Sequence, residues 1–188
     1  MGQNGGRAVC VLGLLGLVLL AGVAVPTQGQ SGGLSQVVKK NLDSITQIVE
    51  QADARLAQIL QGVSDPDTVV ADALRDLRSA AAGLVNLASA ILGDGFTCGD
   101  GTIPPPGAVD AAADGDPNPS LERRLKAVAN ILIRAAERLN AIRDGISSPP
   151  DPTVTPSLQA LRATAVSLVD RATSALNDGF SCGGPTGG

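Results

Sequence analysis

Apolar residues at Val38, Leu42, Ile45, Val49, Ala52, Leu56, Ile59 and Val63 advance in alternating steps of four and three. That stepping keeps them on one side of a helix and predicts an amphipathic helix of about seven turns. Ile48 and Leu60 widen the stripe beyond a two-stranded seam, as a bundle core requires. Gly62 and Ser64-Asp65-Pro66-Asp67 end it in turn chemistry. The same stepping returns at Val70, Leu74, Leu77, Ala81, Leu84, Ala88 and Ile91, in a helix expected to open near Asp67 or Thr68 and to stop at Gly93 and Gly95. A third seam runs through Leu121, Leu125, Val128, Leu132, Ala135, Leu139, Ile142 and Ile146, and a fourth through Val154, Leu158, Leu161, Ala165, Leu168, Ala172 and Ala175.

The seams come in two matched pairs. Asp94-Gly95-Phe96-Thr97-Cys98-Gly99 reappears as Asp178-Gly179-Phe180-Ser181-Cys182-Gly183, 84 positions later. These segments hold both Phe residues of a chain without Tyr or Trp, and two of its three Cys. The offset of 84 extends back through Leu74/Leu158 and Leu77/Leu161, and becomes 83 from Leu42/Leu125 to Val63/Ile146. A duplicated helical hairpin accounts for this. Residues 30–100 form the first copy and 119–188 the second, joined by a Pro/Gly/Asp linker at 101–118 in which no periodicity survives. Four helices with two short loops and one long linker predict an all-α fold, an up-down-up-down four-helix bundle of two tandem hairpin repeats. In that topology both Asp-Gly-Phe-x-Cys turns arrive at one pole, where Phe96 and Phe180 plug the end of the bundle. Exposed Phe anchors are the alternative.

Residues 8–25 are an apolar run preceded by a single charge at Arg7, followed by a polar, Gly-rich exit. This reads as a signal peptide within 1–29, cleaved near 24 or 29, which places the mature chain outside the cell with no membrane-spanning segment; an uncleaved anchor is the alternative. In an oxidising compartment Cys98 and Cys182 are expected to pair within the chain, with paired bridges in a dimer as the alternative. Closing the loop of 84 residues is worth about 4.6 kcal/mol on the chain-entropy model.

Removing the leader leaves 13 basic and 18 acidic residues, a sign that disfavours nucleic acid. The first copy carries 5 basic and 9 acidic residues and the second 8 and 6, an asymmetry that favours packing one copy on the other, with drift of solvated surface charge as the equal alternative. Arg123, Arg124, Lys126, Arg134, Arg138 and Arg143 give the third helix a basic outer face without aromatic interleaving. It reads as a solvated face, with an acidic surface as the alternative partner.

The chain has no His, which leaves no ordinary triad and no imidazole metal site. Asp110, Asp114 and Asp116 fit no calcium-loop spacing. No cofactor, metal or catalytic residue is expected. The residues point to a secreted, non-enzymatic helical protein that binds an apolar ligand, a lipid or another hydrophobic surface. A structural, silk-like component that self-assembles is the alternative, and a homo-oligomer remains open.

Overall fold

The structure is a computed structural model that describes residues 31–99, 101, 103 and 119–183. The leader expected within residues 1–29 and most of the linker lie outside the described residues. The described chain is helical, with α1 (Ser31–Leu60), α2 (Thr68–Leu92), α3 (Pro119–Arg143) and α4 (Thr155–Leu176). Their starts and stops follow local chemistry. Asp67 caps α2 by accepting the Val70 N–H at 2.9 Å, and Gly93 closes it in the left-handed region at φ 69°. Pro156 stands in the first turn of α4, and Asn177 at φ 51° closes that helix where the first copy has Gly93. Asn is the non-glycine residue that best tolerates this conformation.

The seams form one core. Leu42, Val49, Leu56, Leu74, Leu77, Leu84, Leu125, Leu132, Leu139, Leu158, Leu161 and Leu168 are fully buried. The seam ends, Val63, Ile91, Leu121, Ile142, Ile146 and Ala175, are only partly covered, as the last turns of a bundle must be.

The helix directions differ from the expected order. Asp43 accepts from Ser157 at 2.6 Å and Asp53 accepts from Arg171 at 2.8 Å, so α1 and α4 run in parallel. Arg78 donates to Asp178 and Arg162 donates to Asp94, so α2 and α4 run in opposite directions. A Cβ on Gly145, just past α3, would lie 3.8 Å from Val38 near the start of α1, which makes that pair antiparallel too. The topology is therefore up-down-down-up, not up-down-up-down. The reason is the stretch 93–118: it is long enough to return the full length of a 25-residue helix, about 37 Å, so α3 can begin at the far pole.

The neighbours also differ from those of a simple hairpin bundle. α1 packs on α3 and α4, and α2 packs on the same two. Among the described residues neither α1 with α2 nor α3 with α4 makes a helix-to-helix contact. Each hairpin thus straddles a diagonal of the bundle, and the two open toward opposite poles. Residues 61–67, which join α1 to α2, can bridge a diagonal of about 14 Å between helices spaced near 10 Å. Shorter loops would have forced the hairpin helices side by side.

It follows that one hairpin cannot bury its own seams. A fragment comprising residues 30–99 is expected to show little helix by circular dichroism at low micromolar concentration. Adding the fragment 119–188 should restore it. A fragment that is helical and monomeric alone would contradict the diagonal arrangement.

Candidate functional site

The two repeated turns build the most elaborate non-helical feature of the described chain. After Gly93, the Asp94 carboxylate accepts the Phe96 N–H at 3.2 Å and Gly95 takes φ 71°. This short side-chain-to-backbone turn reverses the chain. It then runs back along α2: the Cys98 N–H donates to the Asn86 side chain at 2.7 Å, and Gly101 lies against Ala82 and Gly83. A Cβ at Gly101 would collide with the α2 backbone, and one at Gly99 would meet the Phe180 ring at 2.7 Å. Close approach, as well as φ 52° at Gly99, requires glycine there.

The second turn repeats the construction on α4. Asp178 accepts the Phe180 N–H at 3.4 Å and Gly179 takes φ 69°. Because α2 and α4 are antiparallel and each tail folds back along its own helix, the tails meet midway. Thr97 and Gly183 exchange backbone hydrogen bonds at 3.2 and 3.1 Å as a single antiparallel bridge. Beside it Cys98 and Cys182 are disulfide-bonded, with Cα atoms 4.2 Å apart. The pairing is as expected, but its place is not. The turns lie toward opposite poles and the bond lies between them, on the flank of the bundle.

An arginine clamps each turn from the other copy. Arg78 donates to both Asp178 oxygens at 2.6 Å, and its guanidinium lies 4.5 Å from the centroid of the Phe180 ring. Arg162 pairs with Asp94, lies 5.0 Å from the Phe96 centroid and reaches the Ser89 hydroxyl at 3.4 Å. The Phe rings are accordingly half-buried under arginines. They neither plug a pole nor stand free as anchors. The clamps also show in the acidities. The Arg78 hydrogen bond, aided by the Phe180 N–H, holds the Asp178 carboxyl below its ordinary range against a smaller opposing effect of burial. For Asp94 burial is the largest single influence and works upward, but Arg162 and the Phe96 N–H together outweigh it, and the net displacement is downward.

Sequence reasoning singled out Asp94, Gly95, Phe96, Cys98, Asp178, Gly179, Phe180 and Cys182, and all of them meet here. It missed Arg78, Arg162 and Asn86. A signal existed for the arginines: they share the 84-residue offset, each sixteen positions before its own copy's Asp. Asn86 had none, since Asp170 stands at the matching place. The assembly is a latch between the two segments, with its cysteines bonded and its carboxylates paired with arginines. Asp110, Asp114 and Asp116 of the linker lie outside the described residues. Among the described residues no group of His, Cys, Asp or Glu has the arrangement of a metal site.

Comparison with known protein families, curated proteins and solved structures finds no match.

Two outcomes test the latch. Replacing both cysteines (Cys98→Ser with Cys182→Ser) should lower the unfolding free energy from denaturant titration by about 4.6 kcal/mol. For the carboxylates the sign is that of a depressed acid: their stabilisation is complete above the unfolded pKa of about 3.9 and disappears as pH falls through the lower folded values. Melting temperature should therefore fall from pH 4 downward, and the Arg78→Ala, Arg162→Ala double variant should show a shallower fall from a lower starting point.

Proposed function

We propose that the protein is secreted, acts without catalysis, and adheres to a lipid or other apolar surface through the pole where α1 begins. Leu34 and Val37 carry this reading. They are 70% and 60% exposed on the first turns of α1, while the aliphatic seams behind them are buried. Exposed aliphatic side chains at a helix tip can enter the headgroup–acyl boundary of a bilayer. No helix among the described residues is long and apolar enough to cross a membrane, so contact at the surface is the form proposed.

An apolar ligand held between the two copies is the weaker form. The seams of the two hairpins meet one another along the bundle axis, and entry would require interleaved hairpins to part. Silk-like assembly through intermolecular bridges is not favoured, because the bond between Cys98 and Cys182 takes up the cysteines it would use. Location outside the cell rests on the apolar run 8–25 and agrees with a disulfide-bearing fold.

The test is co-sedimentation of the secreted chain with phosphatidylcholine vesicles. Leu34→Ser and Val37→Ser should each weaken partitioning about tenfold, the loss expected when a partly buried aliphatic contact is removed. Undiminished partitioning of the double variant would overturn the assignment of this pole.

A further inference from the structure

Where the charges of the bundle are paired and where they are not divides its surface in two. Ion pairs fasten the flanks around α4: Arg78 with Asp178, Arg162 with Asp94, and Arg171 with Asp53. The opposite flank is the seam between α1 and α3. Its groove is lined by Asn41, Ser44, Ile45, Arg138, Ala141 and Ile142. The line of α1 that faces this groove continues at helical spacing from Leu34 and Val37 through Ile48 to Arg55, and that of α3 continues from Arg138 back through Arg134 and Ile131 to Arg124. The antiparallel register sets Leu34 and Val37 near the end of α3 and Arg55 toward its start, where Arg124 lies.

Arg55, Arg124, Arg134 and Arg138 are exposed, and none of them forms an ion pair among the described residues. Most acids of α1 and of the ends of α3 are engaged elsewhere. Asp43 and Asp53 face α4 through Ser157 and Arg171, and Glu50 lines a groove with α4 residues Pro156 and Ala160. Glu122 is buried against Lys126, and Asp144 is beside Arg143. Glu137 is exposed on α3, one turn from Arg134 and from Ala141, and forms no ion pair among the described residues. Lys126 and Arg143, counted in the basic face by sequence, thus drop out of it, and Arg55 enters from the other copy.

We infer that this flank docks on the headgroups of an anionic phospholipid bilayer. The inference rests on the proposed lipid-surface function and gives that surface its charge. Four guanidinium groups without an ion pair among the described residues, on a chain of net charge −4, make a local positive field that an anionic surface would complete. Guanidinium matches phosphate oxygens bidentately. The exposed Leu34 and Val37 on the same line supply the apolar contact that a free phosphate would not use. Nucleic acid fits less well, since stacking needs aromatic rings and both Phe rings are clamped on the other flank.

The experiment compares the full chain on vesicles of phosphatidylcholine alone and with added phosphatidylglycerol, at two salt concentrations. Binding should rise with phosphatidylglycerol, fall with salt, and fall about five-fold for each of Arg55→Gln, Arg124→Gln, Arg134→Gln and Arg138→Gln. Arg75→Gln, on α2, should bind like the parent, and melting temperature should confirm that the exposed variants fold. Equal, salt-independent binding to both vesicles would overturn this inference and leave the lipid-surface reading standing. Binding to neither would sink both. Binding to heparin or duplex DNA without binding to anionic vesicles would replace the bilayer with a free polyanion and overturn the proposal.

Discussion

No helix of this bundle packs against its own hairpin partner, and most of the architecture descends from that constraint. The buried Leu, Ile, Val and Ala side chains of α1 and α2 are covered by α3 and α4, and the reverse holds equally. The core therefore forms only when distant parts of the chain meet, after the entropy of a long loop has been lost. A core with few aromatic side chains has little surplus area per residue to offset that loss. This explains why the chain closes the same long loop covalently between Cys98 and Cys182, and why the bond joins the two copies rather than lying within either.

The latch shows how so few aromatic residues are used. Phe96 and Phe180 lie outside the helical seams and serve as platforms, each covered by an arginine that also neutralises the aspartate of the same turn. A guanidinium can do both because its plane stacks on a ring while its edge donates in a fixed fork. Asp94 and Asp178 in turn accept the N–H two residues on, so the carboxylate that holds the turn also recruits the clamp. Loss of the arginine would leave the ring uncovered and the carboxylate without its cation together. The effects of substitutions at Arg, Phe and Asp in one clamp are accordingly not additive.

Much of the fold was legible. Alternating steps of four and three identified every core face, and Asp67 and Gly93 marked the ends of α2 that the structure places within a residue or two. Periodicity says which face is buried but is silent on what buries it. Leu74 would lie inward whether α2 met α1 or α3, so neither the diagonal pairing nor the direction of α3 could be read from the seams. Loop length was the only lever, and residues 61–67 suit a diagonal crossing as readily as a side-by-side turn. Rarity of Cys and Phe revealed the pairing of the latch. Its location followed from helix direction and inherited that error. Arg78 and Arg162 look like ordinary surface charges until the turns are seen to fold back over them.

Opposite charge on the two copies can now be assigned a place. Asp53, Asp94 and Asp178 meet Arg171, Arg162 and Arg78 across the copies, so part of the asymmetry is consumed in holding the hairpins together on the flanks of α4. Such pairs contribute modestly while exposed, and more where an Arg stem is covered, as that of Arg78 is at 14% exposure. The arginines of the α1–α3 seam are left over from this arrangement. Their counterparts under the 83-residue offset include Arg55 for Arg138, so the first copy keeps one cation of this set on the same seam although its own balance is acidic. Both copies thus supply cation to a flank where none of these arginines is ion-paired among the described residues, and a stable fold has no need of that. The stabilising charges lie on one side of the bundle; the unspent ones face outward on the other.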